Sequence, residues 1–401
     1  MSVHIIIGKN FGDEGKGLAV DYFASLAQKN SKSCLVIRHN GGAQAGHTVD
    51  LYDKRFVFHQ LSSGSFRFAD TFWADTFMPD FYKLSDEINS FEQIHDYKPK
   101  IYSSAKCRCV TVDDVLINMA IETTRGDKRH GSCGMGINEA AERSEHPEVI
   151  LSPKTIKSIS SEALAKELKR IRSEYLPMRL KKYQLSLERM GEYGQLLNND
   201  NVLYNSAEKM CKAAENIEIV EEKFVLDYDE IVFEGAQGLL LDENFLKYAP
   251  HLTSSRTGSF NPARFCEVFL PQEKAERIYV TRSYVTRHGA GPLPYEEQFN
   301  SLKYNIHDKT NMPNEWQGIL RYAAHGNAEE FVSPVLQDIT EFSCKTKISL
   351  LVTHLNETKH CIYSANGNIP IKVWFQSDEI KAVFNECLIS DSPYSEEIIK
   401  L

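Results

Sequence analysis

The apolar residues near the N-terminus form two short continuous runs with an amphipathic segment between them. Residues 3–7 predict a buried strand, and Cys34–Arg38 predicts a second one. Between them, a glycine-bearing turn precedes apolar residues at helical spacing up to Leu26. Strand, loop, helix and strand in this order are typical of a parallel α/β sheet, where ligands bind at the carboxyl ends of strands. We therefore expect the chemistry in the loops after residues 7 and 38.

The rest of the chain contains no repeat and no low-complexity linker. A charged region over residues 161–198 has apolar residues at helical spacing, with Pro177 as a predicted kink. Further strands are predicted at residues 230–233, 277–280 and 348–352. We interpret residues 1–401 as a single domain with a helical excursion around 155–215.

Composition narrows the possible partners. The 401 residues include 46 Lys and Arg against 55 Asp and Glu, a formal net charge of −9, and no basic block marks a nucleic-acid interface. The apolar runs are far shorter than the ~20 residues of a membrane span, and the N-terminus lacks the features of a secretory signal. Nine cysteines without a CxxC pair predict free thiols. We expect a cytoplasmic protein that binds neither nucleic acid nor membranes.

The loop after the first strand carries the strongest chemical signal. It reads G-D-E-G-K-G over residues 12–17, between a strand and a helix, where backbone amides and the positive helix end can hold phosphate. A standard P-loop would have glycine at Asn10 and Ser or Thr at Gly17, so a hydroxyl ligand for magnesium is missing. Asp13 can instead bind magnesium or take a proton from a substrate, while Lys16 balances phosphate charge.

Four further loops share a character of small residues mixed with polar ones. The second loop, over residues 38–48, places glycines and alanines around polar side chains, as close approach of a backbone to a ligand requires. His47 in this loop is a candidate acid or hydrogen-bond donor. Residues 233–238, 253–258 and 286–292 have the same composition. Together with the first loop, they predict a large nucleotide-type site.

These motifs resemble the adenylosuccinate synthetase family. The G-D-E-G-K-G run, A-G-H-T at 45–48, and the segments at 233–238, 253–255 and 289–292 are similar to the signature loops of that family, in its order and near its spacing. The resemblance extends from residue 3 to the tail at 390–401. It implies an α/β fold with a large, mostly parallel central sheet surrounded by helices, P-loop-NTPase-like and of the adenylosuccinate synthetase type.

The resemblance also implies a reaction. Asp13 would remove the N1 proton of a 6-oxopurine mononucleotide such as IMP and bind Mg²⁺ together with the carbonyl of Gly46. The purine oxygen would then attack the γ-phosphate of a nucleoside triphosphate, with His47 and Lys16 stabilising the transferred charge. An amine, normally that of aspartate, would finally displace the 6-phosphoryl group. The family further implies a homodimer.

Most of the remaining site residues also come from the resemblance. Nucleotide or phosphate binding is implied for Gly12, Gly15, Lys16, Gly17, Gly46, Thr48, Asn356 and Ser390. Acceptor-nucleotide binding is implied for Gln44, Ser132, Cys133, Gln237 and Thr253. Gln44 replaces the usual asparagine of the family with a longer amide of the same chemistry.

The chain departs from the family at the acceptor phosphate. Cys133 stands where a threonine is usual and is a weak hydrogen-bond donor. The arginine that the family inserts from a neighbouring subunit has no clear equivalent, because Arg143 is out of register. Arg125 or Arg129 could substitute for it.

A second departure concerns the amine. The arginine-rich loop that grips aspartate aligns with residues 310–318, which contain no arginine. Since arginine is the usual partner of carboxylates, either aspartate is not the amine or other residues take over. We favour the second possibility, in which other residues bind aspartate. The candidates are Arg321, Arg256, Thr310 and Asn311, together with Lys309.

A third departure concerns the phosphoryl donor. Asn356 aligns with the aspartate that accepts from guanine in the family, and His354 replaces the lysine that covers the base. An amide offers one acceptor and one donor, which fits adenine better than guanine. We therefore expect ATP or dATP to be preferred over GTP. The alternative is that Asn356 faces solvent and Ser390 and Ser392 contact the base.

Three other functions stay open. A branch of the family makes 2-aminoadenylosuccinate from GMP or dGMP with ATP, although it often replaces the aspartate that is present here as Asp13. A non-catalytic nucleotide-binding regulator would fit the altered loops but not the joint presence of Asp13, Lys16 and His47. A small-molecule kinase would use the same phosphoryl chemistry and stop before C–N bond formation.

Overall fold

A large twisted sheet organises the computed structural model, which describes residues 1–126, 132–301, 306, 308, 310–311, 316, 318–340 and 347–401. The strands are β1 (Ser2–Gly8), β2 (Cys34–Arg38), β3 (His47–Leu51), β4 (Lys54–Phe58), β5 (Asp70–Trp73), β6 (Ile101–Ser104), β7 (Ile217–Val220), β8 (Glu230–Glu234), β9 (Ala275–Arg282), β10 (Val285–Arg287), β11 (Arg321–Ala323), β12 (Ile348–Thr353), β13 (Cys361–Ser364), β14 (Gly367–Pro370), β15 (Glu386–Ile389) and β16 (Ile399–Lys400).

The α-helices connect these strands and cover the sheet. They are α1 (Lys16–Lys29), α2 (Phe81–Ile94), α3 (Val112–Arg125), α4 (Ile137–Arg143), α5 (Pro153–Ser158), α6 (Ser161–Tyr183), α7 (Gly191–Leu197), α8 (Asp200–Ala214), α9 (Phe260–Phe269), α10 (Glu296–Ser301), α11 (Ala328–Thr340), α12 (Ile371–Trp374) and α13 (Asp378–Lys381).

Among the described residues, ten strands form the central sheet, in the order β16-β15-β12-β9-β1-β8-β2-β5-β6-β7. Nine of them run parallel, and β16 pairs antiparallel with β15 at one edge. The fold class predicted from the sequence is therefore confirmed, as are the first two strands and the first helix. The order along the sheet differs from the order along the chain, because β8 lies between β1 and β2.

Apolar residues of β1 face both sides of the sheet, as its continuous hydrophobic run predicts. Ile6 packs with Leu18 and Phe23 of α1 on one face. Ile5 and Ile7 pack on the opposite face with Phe233 of β8, among others. The core of the sheet thus fixes β1 and α1 in place, and with them the loop that joins the two elements.

A third apolar cluster lies in the helical part of the chain. It joins α2 and α3 to α6 and α8 around buried side chains such as Leu168 and Met210. The residues of the predicted excursion form α5 to α8. Its organisation as part of a single domain stays a prediction. None of the described helices is long and apolar enough to cross a membrane, and the eight cysteines in the described ranges are free thiols.

Candidate active site

Loops at the carboxyl ends of β1, β2, β8, β9 and β12 surround a cavity of about 1060 Å³. Parallel strands bring their carboxyl ends to one edge of a sheet, so residues that are far apart in sequence meet there. The loops after residues 7 and 38, where the sequence predicts the chemistry, both line this cavity. The predicted site residues that line it are Gly12, Asp13, Gly15, Lys16, Gly17, Gln44, Gly46, His47, Thr48, Ser132, Cys133, Gln237, Thr253, Thr310, Asn311 and Asn356.

The loop over residues 12–17 turns sharply from β1 into α1. Gly12 and Gly15 have φ of 98° and 95°, a region that favours glycine, and Asp13 between them has φ of 56°. Lys16 is the first residue of α1 and is buried. Its ammonium group makes no hydrogen bond or ion pair with any residue in the described ranges. The loop therefore directs an unpaired positive charge and the amino end of a helix toward the cavity.

The Asp13 carboxylate is held by a histidine from a distant segment. Nε2 of His288 lies 2.7 Å from Asp13 Oδ2. Burial alone would raise the pKa of Asp13, but the hydrogen bond from His288 and the charges of Arg282 and Lys16 hold that pKa below its usual value. Arg282 also donates to the backbone oxygen of Asp13. Asp13 is therefore an ionised group whose side chain and backbone are both fixed.

His47, the first residue of β3, is paired with a buried carboxylate. Its Nδ1 lies 2.6 Å from Oε1 of Glu234, at the end of β8. Glu234 also accepts hydrogen bonds from the backbone and hydroxyl of Ser63 and lies beside Arg38. Burial lowers the pKa of His47 to about 4 against the opposing effect of Glu234. The ring is therefore neutral at pH 7 and carries its proton on Nδ1, which leaves Nε2 as the group that can meet a ligand.

Several polar side-chain atoms of the cavity are buried without a partner among the described residues. They are both amide atoms of Gln44, the oxygen of the Gln237 amide and the hydroxyl of Thr48. Buried polar groups in folded proteins are nearly always hydrogen-bonded, and an unsatisfied one costs about 1–3 kcal/mol. These atoms therefore indicate a polar ligand with several donors and acceptors.

Ser132 and Cys133 line the same part of the cavity, next to α3. The Ser132 hydroxyl donates to Oδ1 of Asn118 at 2.8 Å and accepts from the backbone of Gly134 at 3.3 Å. Burial raises the pKa of the Cys133 thiol. At neutral pH Ser132 and Cys133 therefore offer a hydroxyl and a neutral thiol to a ligand.

The opposite end of the cavity is formed by the turn after β12. Asn356 is exposed there, and its amide has no partner among the described residues. His354 has φ of 58° and its Nδ1 lies 3.2 Å from Oε2 of Glu357. Ser390 does not line the cavity, because its hydroxyl is buried and donates to the backbone of Ser392 at 2.8 Å. Ser392, two residues further along the chain, lines the cavity.

The sequence comparison assigns the family. The family model for adenylosuccinate synthetase matches residues 5–315. The chain belongs to the adenylosuccinate synthetase family. It is 28% identical over 300 residues to adenylosuccinate synthetase of Clostridium botulinum strain Hall and 29% identical over 304 residues to that of strain 657. Each alignment covers 74% of this chain and 66% of the relative, so the chain spans slightly less than two thirds of the relatives it matches.

Solved structures support the same fold. The chain is similar to fully ligated adenylosuccinate synthetase from Plasmodium falciparum, with a TM-score of 0.66, 17% identity and coverage of 100% of both chains. It is also similar to succinoaminodeoxyadenylate synthetase of cyanophage S-2L bound to dGMP and dATP as an energy donor. That comparison gives a TM-score of 0.60 and 13% identity over 100% of this chain and 95% of the other. The predicted family and its fold type are confirmed.

The structure does not bring two predicted amine-binding arginines of this family member to the cavity. Arg321 forms an ion pair with Glu296 on α10, and Arg256 bonds Asp242 at 3.2 Å. Neither lines the cavity. Both arginines are predicted as replacements from nearby segments, and the sequence does not reveal that each arginine has a carboxylate next to it. Lys309 lies outside the described residues.

The structure describes two of the three arginines that could bind the acceptor phosphate, and it places them differently. Arg143 is buried and donates to both oxygens of Asp114 at 2.9 Å, so it is part of the core rather than of the cavity. Arg125 lines the cavity and is paired with Glu122. Arg129 lies outside the described residues.

Residues missed by the sequence analysis hold the site together. Glu234 and His288 both lie in the predicted site loops of small and polar residues, but the composition of those loops assigns neither residue a role. An acidic residue directly at the end of an apolar strand, and a histidine before G-A-G, are the only local signals. Arg55 is a further missed residue, since it lines the cavity from the hairpin of β3 and β4.

The residues present fit a magnesium ion of the kind that the family implies. Mg²⁺ in nucleotide sites is usually held by one or two carboxylates together with substrate phosphates. Asp13 accepts one hydrogen bond at Oδ2, and a carboxylate has about four lone-pair positions, so further capacity remains. Gly46 lines the same cavity and could add its carbonyl. Among the described residues, no group of three or more His, Cys, Asp or Glu forms a metal site without a substrate.

Proposed function

We propose that this chain is a purine-nucleotide ligase that phosphorylates the 6-oxygen of a 6-oxopurine mononucleotide and replaces it with the amine of aspartate. One observation carries the proposal. A single cavity contains a lysine without an ion-pair partner among the described residues, an ionised aspartate and a carboxylate-bound histidine. It also contains the unsatisfied amide of Gln44 and the unsatisfied amide oxygen of Gln237. This combination supports binding of a triphosphate next to a polar base, with a proton acceptor available to the base.

The first half of the reaction uses Asp13. Its Oδ2 accepts from His288, so Oδ1 is the oxygen available for the N1 proton of the purine. Loss of that proton moves electron density to the 6-oxygen, which attacks the γ-phosphorus as the bond to the β-phosphate oxygen breaks. Lys16 and the amides at the start of α1 stabilise the charge on the departing diphosphate. Magnesium, held by Asp13 and the Gly46 carbonyl, would neutralise phosphate charge when bound.

His47 stabilises the transferred phosphoryl group. The proton on Nδ1 of His47 lies between the ring and Glu234, which fixes the ring. A bound triphosphate brings negative charge near the ring and favours its protonated form, which can donate from Nε2 to a phosphoryl oxygen. Glu234 therefore has the role of setting both the orientation and the tautomer of His47.

Arg55 is the proposed partner of an aspartate carboxylate in the second half. It donates to both oxygens of Asp50 at 2.8 Å and contacts the Thr310 hydroxyl, so it links two walls of the cavity. Its side chain is 44% exposed. Exposed ion pairs contribute only about 0.2–1 kcal/mol, so a substrate carboxylate can displace Asp50 at low cost. The buried Arg282–Asp308 pair could not exchange partners as easily.

We further propose that the phosphoryl donor is ATP or dATP. The Asn356 amide is exposed to the cavity and unpaired among the described residues. It can accept from the 6-amino group of adenine and donate to N1, whereas guanine presents two adjacent donors. Loss of one charge-assisted hydrogen bond to guanine costs about 1.5–3 kcal/mol, which is at least about tenfold in affinity. A clear preference of the wild type for GTP would contradict this, and Asn356→Asp should shift selectivity toward GTP.

The cyanophage relative supports a second candidate acceptor. That protein binds dGMP together with dATP as an energy donor, and the adenine preference proposed here for Asn356 agrees with such a pairing. In that case the product would be a 2-aminoadenylosuccinate nucleotide. The chemistry at Asp13, Lys16 and His47 would be the same, and only the contacts to the 2-position of the purine would differ.

A product assay tests the proposed function. The protein is incubated with IMP, GMP or dGMP, with ATP, dATP or GTP, and with magnesium and aspartate, and products are identified by mass. We expect a succinylated nucleotide with one acceptor and its loss in Asp13→Asn. A nucleoside diphosphate without a new C–N bond would indicate a kinase. Binding of nucleotides without any product would indicate a regulator.

A further inference from the structure

We propose that His288 is a positioning residue of the reaction, which fixes the Asp13 carboxylate and links it to Asn311 in the predicted amine-binding segment. The inference rests on the proposed function, because it assigns the role of Asp13 to the transfer of the N1 proton. Asp13 and His288 both line the cavity and are 275 positions apart in sequence, yet Oδ2 of Asp13 lies 2.7 Å from Nε2 of His288.

The hydrogen-bond network determines which nitrogen of His288 carries a proton. Asn311 donates from Nδ2 to Oδ2 of Asp308 at 3.0 Å, which fixes the orientation of its amide. Oδ1 of Asn311 must then accept, and it lies 3.1 Å from Nε2 of His288. Nε2 therefore carries hydrogen and donates it to Asn311, and the same nitrogen lies 2.7 Å from Oδ2 of Asp13.

The same network closes into a ring around Asp13. Asp308 accepts from Nη2 of Arg282 at 2.9 Å, and Nε of Arg282 donates to the backbone oxygen of Asp13. The ring thus joins the side chain of Asp13 to its own backbone through His288, Asn311, Asp308 and Arg282. The Asp13 carboxylate contacts His288, and the Asp308 carboxylate accepts from Arg282 and Asn311. Rotation of the Asp13 carboxylate would therefore break its contact with His288.

The segment that carries His288 also holds the neighbouring glycine. Thr286 donates from its hydroxyl to the backbone oxygen of Gly12 at 3.1 Å. Arg282, Thr286 and His288 therefore contact two successive residues of the first loop. In that loop Arg282 and Thr286 bind backbone oxygens, whereas His288 contacts the reacting carboxylate of Asp13.

The fixed orientation of the Asp13 carboxylate determines which of its two oxygens can accept the purine proton. With Oδ2 occupied by a donor, Oδ1 is the oxygen that faces a purine N1–H, and the carboxylate does not lose rotational freedom when substrate binds. A residue in such an orienting position typically changes activity by about 10–100-fold. Substrate binding to other parts of the cavity should change little, because His288 contacts neither Lys16 nor the amides of Gln44 and Gln237.

A set of three substitutions tests the inference. His288→Leu removes the donor, His288→Gln keeps an N–H at a similar reach, and His288→Asn keeps an N–H that is too short to reach Asp13. We expect kcat to fall by about 10–100-fold in the leucine and asparagine variants and to recover in the glutamine variant. The KM values for both nucleotides should stay within about twofold of wild type, because the orientation of Asp13 contributes to reaction rather than to binding. His360→Leu, at an exposed position away from the cavity, is the matched control.

A spectroscopic measurement separates this inference from the proposed function. In ligand-free protein with ¹⁵N-labelled histidine, the Nε2–H signal of His288 should shift in Asp13→Asn, whether or not the protein is a ligase. If that signal shifts and no ligase product forms, the contact is real and the proposed function is wrong. The inference is overturned if the signal is unchanged in Asp13→Asn, if His288→Leu keeps the wild-type kcat, or if glutamine is no better than asparagine.

Discussion

Replacement of Glu234 by glutamine is the sharpest test of how the site is built. The wild-type carboxylate is fully buried, and it accepts from His47 Nδ1 at 2.6 Å and from the backbone of Ser63 at 3.1 Å. Its second role is to neutralise Arg38, whose Nε lies 3.9 Å away. Glutamine has nearly the same shape but no charge and only one acceptor oxygen. The substitution therefore changes electrostatics and hydrogen bonding while it preserves packing.

The size of the effect on stability follows from the partners of Arg38. Removal of one member of a buried ion pair usually costs about 3–5 kcal/mol, because a buried charge is left uncompensated. Arg38 keeps two hydrogen bonds to the backbone oxygens of His59 and Leu61, at 2.8 and 3.1 Å. We therefore expect a loss near the lower end, about 3 kcal/mol. A domain with a typical stability of about 5–15 kcal/mol remains folded after such a loss.

The effect on activity is separate, because Glu234 also fixes His47. A glutamine can present its amide N–H to the ring, which would favour the tautomer with a bare Nδ1 and would release the orientation seen here. We expect kcat to fall by about 10–100-fold, measured at a temperature where circular dichroism shows a folded variant. Glu87→Gln is the control, since Glu87 accepts from the backbone amides of residues 59–61 but does not line the cavity.

Two results would refute this reasoning. A folded Glu234→Gln protein with a kcat within about twofold of wild type would mean that the pair does not orient His47. An equal loss of kcat in the Glu87 variant would mean that the effect comes from general loosening of the segment at 59–61. In either case the observed pair would be a structural contact of the core.

Three further outcomes are expected. Arg55→Ala should raise the KM for aspartate by about tenfold or more with little change in the KM for nucleotides, and Arg108→Ala, at an exposed ion pair outside the cavity, should not. The pair of Glu230 and Glu276 around His4 raises the pKa of that histidine against burial. Its contribution to stability is complete below the unfolded pKa and is lost as pH rises through the raised value, so urea midpoints of His4→Gln and wild type should converge as pH increases. Sedimentation of active protein should give the mass of a homodimer, and a monomeric mass would contradict that expectation.

The sequence predicted those parts of the site that depend on neighbouring residues. The turn from β1 into α1 is encoded locally, because glycines at 12 and 15 permit positive φ and apolar residues on both sides specify a strand and a helix. Lys16 and Asp13 therefore line the cavity, and their roles in the reaction stay predictions. The order of the motifs along the chain was enough to identify the family, because several short motifs occur together in the order that the family has.

Contacts across the sheet could not be predicted in the same way. The pairing of His47 with Glu234 depends on β8 lying between β1 and β2, an order that requires a long crossover from residue 38 to residue 230. The contact of His288 with Asp13 depends on the position of the loop after β10. Arg256 and Arg321 have suitable chemistry for a carboxylate, but their sequence positions do not show that Asp242 and Glu296 compete for them.

The distribution of charge in the described part of the cavity supports the proposal that the triphosphate binds at the first loop. Four arginines that line it are already neutralised by carboxylates, namely Arg55, Arg125, Arg179 and Arg282. Arg287 donates to backbone oxygens of Pro292 and His251, which fixes its guanidinium in the wall. Lys16 differs from all of them because it has no ion-pair partner there. A triphosphate gains most from a cation that does not first have to leave a carboxylate, so the γ-phosphate should lie against Lys16, next to Asp13 and His47. The paired arginines can contribute only by exchanging partners, which restricts them to groups that arrive later or bind more weakly, such as the carboxylates of the amine.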